Sequence, residues 1–109
     1  MNSLRVHELE ATIRARPGTV LLDVREPWET ALAAIELAGA HTLRLPLSRL
    51  TTAIDDIPRS QPVVCICHHG VRSAQVVAFL LRAGWSDVYN LEGGVDAWSC
   101  QVDPAVPRY

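Results

Sequence analysis

The sequence predicts an α/β domain of three layers, α/β/α, around a mostly parallel sheet of about five strands. Three observations carry this expectation. Short apolar runs alternate with segments of helical periodicity, and proline or glycine falls between most neighbouring pairs. The most apolar run, PVVCIC from Pro62 to Cys67, lacks polar alternation, as a strand buried on both faces should. The stretch after it, from Ser73 to Gly84, has an apolar stripe of Val76, Val77, Leu80 and Leu81 at helical spacing.

In chain order, Val6 to Arg16 reads as a helix with Leu9 and Ile13 one turn apart, stopped by Pro17-Gly18. Thr19 to Val24 is a buried strand, and Arg25 to Pro27 a loop at its carboxyl end. Pro27 suits the first turn of a short helix running to Leu37. His41 to Pro46 is a brief strand, and Ser48 to Ile57 a helix capped by Ser48. After the central strand, Ser73 is the expected cap and Gly84 the stop of the long helix. Asp87 to Leu91 makes the last strand, and Gly93 to Ser99 a turn into a short helix. Residues 1–109 form one domain, with 100–109, which contains two prolines, an extended surface tail.

Composition narrows the function. At 109 residues and 49% hydrophobic content, the chain can bury an ordinary core without disulfides or a structural metal. A net charge of -2, without a run of either sign, argues against nucleic acid or an anionic membrane surface as a partner. No stretch approaches the roughly 18 apolar residues that cross a bilayer, and no signal-peptide core is present, so the expected location is cytoplasmic. All 10 basic residues are arginine, which excludes a Schiff-base lysine. Three cysteines in a reducing compartment are free thiols rather than a disulfide framework.

The chemistry concentrates in CICHHGVRS, Cys65 to Ser73. This segment joins a buried strand to a helix N-terminus, where parallel α/β folds place their ligand sites. Unpaired amide N–H groups and the positive end of the helix dipole favour a thiolate at Cys67 and attract anions. Gly70 lets amides turn inward, and Arg72 brings a permanent charge to the same loop. A metal site is not expected, because C-x-C-H-H lacks the C-x2-C spacing that wraps zinc and no second Cys/His pair exists. Cys65, two residues earlier on the strand, belongs to the core, and Cys100 reads as an incidental surface thiol. Trp28, Trp85 and Trp98 are assigned to core or edge packing.

CHHGVRS resembles the active-site loop of the rhodaneses, the sulfurtransferases. The likeness continues into Leu91-Glu92-Gly93-Gly94 and Ala97-Trp98 downstream, and into Leu22-Asp23-Val24-Arg25-Glu26-Pro27 upstream. It implies a rhodanese-like fold of the single-domain kind, with Cys67 the residue that becomes a persulfide. The six-residue loop from Cys67 to Arg72 would surround it: His68, His69, Gly70, Val71 and Arg72, with Ser73 following. A small sulfur donor such as thiosulfate and a thiophilic acceptor (cyanide, a thiol, a thioredoxin-like or sulfur-relay protein) are the implied partners, and no cofactor is required. On this reading Arg72 holds the anionic end of the donor, while His68 and His69 support from the rim. Asp23 and Arg25 are supporting residues; for Arg25 and Glu26 an ion pair that props the loop stands beside direct substrate contact as the reading.

Two rival activities share the same thiolate. One is a sulfur-carrier or regulatory module that delivers persulfide to a protein and turns over thiosulfate poorly. The other is a phosphatase or arsenate reductase; it is disfavoured because the cell-cycle phosphatases of this family carry one more residue between cysteine and arginine. The sequence departs from many relatives at Ala33-Ala34, where Gly-His is common, and across Ile35 to Ala40, so the donor and acceptor specificity of relatives does not carry over.

Overall fold

The computed structural model describes residues 2–109. Its strands are β1 (Ser3–Leu4), β2 (Val20–Asp23), β3 (His41–Arg44), β4 (Val63–Ile66) and β5 (Val88–Leu91), and its helices α1 (Leu9–Ala15), α2 (Pro27–Leu32), α3 (Val71–Arg82) and α4 (Gly94–Gln101). The five strands form one sheet in the order β1-β5-β4-β2-β3, and every pairing is parallel. β4 therefore lies at the centre, in register with β2 (Leu22 opposite Cys65) and with β5 (Cys65 opposite Asn90).

Alternation along the strands sorts the core into two layers, because successive side chains leave a strand on opposite faces. Val20, Leu22 and Val24 of the β2 segment join Val63, Cys65 and Cys67 on one face, packed under Val76, Val77 and Leu80 of α3. Leu21, Val64 and Ile66 face the other way, against Leu9 and Ile13 of α1 and Val95 and Trp98 of α4. Cys67, the first residue beyond β4, continues the α3 face and is 1% exposed. Among the described residues no helix is long and apolar enough to cross a membrane.

Several expectations are corrected. Ser3–Leu4 adds an edge strand to β5 that the sequence did not announce. α2 ends at Leu32 rather than Leu37, because Ala33 is already extended at φ -158° and ψ 138°. Ser48 to Ile57 is not one helix: short 3-10 turns at Leu47–Arg49 and Ile54–Asp56 replace it, so Ser48 lies inside a turn instead of capping a helix. Leu47, Leu50, Ile54 and Ile57 have helical spacing, but Thr51-Thr52 interrupts the run. The Thr52 hydroxyl donates to Arg49 O at 3.1 Å, a local bond that competes with the helix. Leu81 falls off the buried stripe of α3; of the tryptophans assigned to core or edge, Trp85 and Trp98 are buried and Trp28, at 63% exposed, lies at the edge against Tyr109.

Candidate active site

α3 begins three residues earlier than its sequence suggests, with Gly70 rather than Ser73 at the cap position. Gly70 takes φ 94°, a left-handed conformation that places the next residue, Val71, in the helix. Ser73 is consequently not a cap but a buried residue of the first turn, facing the sulfur. The Gly70 amide donates to Cys67 Sγ at 3.1 Å and the Ser73 amide at 3.3 Å, and Ser73 Oγ lies 3.2 Å away. The amides of His68, His69, Val71 and Arg72 have no acceptor among the described residues. The loop thus sets two N–H groups on a buried sulfur and leaves four neighbouring ones without a partner among the described residues.

Two elements hold that curl. From β5, Asn90 accepts the Ser73 hydroxyl at 2.6 Å on Oδ1 and donates from Nδ2 to Gly70 O at 3.1 Å. From α4, Val95 N donates to Cys67 O and Asp96 N to His68 O, both at 3.0 Å. Gly94 permits this approach. With φ 57°, a Cβ there would stand 2.6 Å from His68 O and closer still to Cys67 O.

The charged residues lie beside the loop in two ion pairs. Arg25, 1% exposed, binds Asp23 through Nε at 2.9 Å and Nη2 at 2.7 Å, so its partner is Asp23 and not Glu26. Arg72 binds Glu29 with both terminal nitrogens at 2.7 Å, the fork geometry that carboxylate and guanidinium favour. Two of the five Arg72 N–H groups are thereby spent on α2. The Arg72 hydrogen bonds hold the Glu29 carboxyl down at about 2 against the opposing effect of burial.

His68 and His69 stack with ring centroids 4.0 Å apart, and the far face of His68 stacks on Tyr109 at 3.9 Å. Burial, then the neighbouring His69, push His68 below the usual histidine range, so it adds no charge at pH 7. Ligand-capable atoms of His68, His69 and Asp96 lie within 4.8 Å of one another. Both Asp96 oxygens, however, take Arg108, at 2.9 and 3.3 Å, and stacked rings do not aim their in-plane lone pairs at one point. Burial pushes the Cys65 thiol up to about 12, while Cys100 is exposed on α4.

The structure brings together Cys67 to Ser73 and places Asp23 and Arg25 one ion pair away. Sequence reasoning missed Glu29, Asn90 and Tyr109. Only Glu29 had a local signal, as an acid in the first turn of a helix next to an Arg-containing loop.

Comparison with known proteins agrees with this geometry. A family model described as Rhodanese-like domain matches residues 5–101. The chain is 32% identical to a Sulfurtransferase of Allochromatium vinosum over 97% of this chain and 95% of that protein. It is 35% identical over 99% of its length to the Probable adenylyltransferase/sulfurtransferase MoeZ of Mycobacterium tuberculosis, but spans only 27% of that protein. Among solved structures, a Rhodanese-like Domain Protein from Staphylococcus aureus superposes with a TM-score of 0.76 at 31% identity, covering 90% of this chain and 91% of the other.

Proposed function

The chain belongs to the rhodanese-like domain family, and from that premise we propose that it is a sulfurtransferase working through a persulfide on Cys67. The observation that carries this reading is the amide cradle: two N–H groups on Cys67 Sγ, and four more from His68, His69, Val71 and Arg72 without an acceptor among the described residues.

The proposed reaction has two displacements. The Cys67 thiolate attacks the outer sulfur of thiosulfate; the new S–S bond takes that sulfur, and the old S–S bond breaks with its electron pair leaving on sulfite. Cyanide or an acceptor thiolate then attacks the outer persulfide sulfur, and the electron pair returns to Cys67. Negative charge stays on sulfur within reach of the loop amides throughout, and each preorganised donor contributes about 3 kcal/mol to such a step. These amides, together with the Arg72 N–H groups that Glu29 does not take, are the proposed seat of the donor's anionic end. Asp23, Arg25, Glu29 and Arg72 support the loop. The proposed setting is the cytoplasm, where free thiols persist.

A second reading has a specific observation behind it. Among the described residues, three of the four large apolar side chains exposed on the surface, Trp28, Leu32 and Val71, lie on α2 and on the first residue of α3, the elements joined by Glu29 and Arg72. Relatives named as sulfurtransferase joined to adenylyltransferase place such a domain within a larger protein. A protein acceptor, thioredoxin-like or part of a sulfur relay, would suit that rim.

Intact mass after incubation with thiosulfate tests the first reading. A gain of about 32 Da, lost on adding cyanide and absent in Cys67→Ser, is the expected result for a covalent sulfur intermediate. Unmodified, folded and reduced wild type would move the sulfur-carrier reading, with a protein acceptor, ahead.

A further inference from the structure

The segment after α4 folds back upon the site. Ser99 Oγ donates to Val106 O, Arg108 grips Asp96, and Val106 and Tyr109 pack against the apolar layer containing Trp98 and Ile66. Tyr109 thereby reaches the loop. Its ring lies nearly parallel to His68, at 8°, and meets Trp28 edge-on with centroids 6.3 Å apart. Its hydroxyl accepts from Arg25 Nη1 at 2.9 Å and donates to Glu29 Oε1 at 3.2 Å. One phenol therefore touches both ion pairs and the residue that follows the nucleophile.

We propose that Tyr109 is a positioning residue for the nucleophile loop, its ring fixing the Cys67–His68 segment and its hydroxyl coupling Arg25 to Glu29. The proposal rests on reading Cys67 as the sulfur-accepting group, but the positioning itself can be measured without sulfur transfer.

Two features distinguish this from mere cover. His68 Nε2 is buried and has no hydrogen-bond partner among the described residues, so that nitrogen does not fix the ring; stacking between Tyr109 and His69 does. A hydroxyl offers one proton and two lone pairs, and here it accepts from a buried cation while donating to a buried carboxylate. Without it, Arg25 Nη1 keeps only a long 3.4 Å contact with Glu29 O. Phenylalanine would cover the same apolar surface and make neither bond.

The test compares the full chain with Tyr109→Phe and Tyr109→Leu, thermal unfolding confirming that each is folded. Three quantities are read: the His68 ring titration by NMR, hydrogen exchange at the Gly70 amide, and sulfur transfer from thiosulfate to cyanide. In Tyr109→Leu the His68 midpoint rises towards the ordinary histidine value as burial is relieved, with His69, Asp96, Glu29 and Arg72 still facing it. Gly70 exchange accelerates, and kcat falls about tenfold with KM for thiosulfate changed less than about twofold, as loss of orientation demands. Tyr109→Phe retains the His68 titration and loses about threefold in kcat through the missing bridge. A Tyr109→Leu protein with wild-type His68 titration and Gly70 exchange overturns the proposal, as does a rise in KM alone. If wild type takes no sulfur from thiosulfate, the thiosulfate reading fails, while titration and exchange still decide whether Tyr109 positions the loop.

Discussion

The cradle around the sulfur and the ionic layer beside it are assembled in opposite ways. From Cys67 to Ser73, neighbouring residues present backbone amides, so the chemistry-bearing groups come from one continuous stretch. The ionic layer collects Asp23 and Arg25 from the end of β2, Glu29 from α2, Arg72 from α3 and Tyr109 from the far tail. A backbone cradle keeps its donors whatever its side chains are, whereas the layer beside it depends on each side chain separately. Substitutions should therefore divide cleanly: those that alter the loop's path abolish the site, and those in the ionic layer grade its stability.

Gly94→Ala is the most severe way to break the cradle without touching a loop residue. The added carbon collides with the Cys67 and His68 carbonyls, and the left-handed backbone adds strain of its own. Its expected cost is about 5 kcal/mol or more in chemical denaturation, the clash adding to the backbone strain, with persulfide formation lost. A variant that loads sulfur normally would show that α4 does not hold the loop.

Asp23→Asn comes next. Arg25 is 1% exposed, and a buried guanidinium stripped of its counter-charge costs about 3 to 5 kcal/mol. Glu29→Gln is milder, about 1 to 2 kcal/mol in the same denaturation experiment, because the Arg72 side chain is 34% exposed and water can take over part of its solvation. Equal costs for the two would contradict the division between a sealed pair and a rim pair.

The smallest effect is one of pH. Arg72 lowers the Glu29 carboxyl from 4.5 to about 2, so folding favours its ionised form. The stability this contributes is complete above pH 4.5 and is lost as pH falls towards 2. Wild type should lose stability over that window more steeply than Glu29→Gln, as followed by denaturation at successive pH values. Parallel curves would place the ionic contribution elsewhere.

This division also explains what the sequence disclosed. The strand, loop and helix around Cys67 were legible because they are contiguous: the apolar run 62–67, Gly70 and the stripe of α3 each signal locally. Ser73 was misread as a cap because nothing in its neighbourhood shows that Gly70 turns left-handed and starts the helix at Val71. The Arg72 partner lies 43 residues away and the Arg25–Tyr109 bond spans 84, so neither had a local pattern to find. Asn90 looked like an ordinary strand residue until its register beside β4 brought it under the loop.

Cys65 shares the face of Cys67 two residues back along the strand, yet burial leaves its thiol protonated up to about pH 12. A thiol that keeps its proton is no nucleophile, so it does not compete for a sulfur atom parked on its neighbour. With Cys100 exposed on α4, the described chain offers no thiolate inside the site to unload it. On the proposed chemistry, how long the loaded form lasts is then decided by the supply of acceptors in the surrounding solution, and the protein keeps its cargo between encounters instead of discharging it internally.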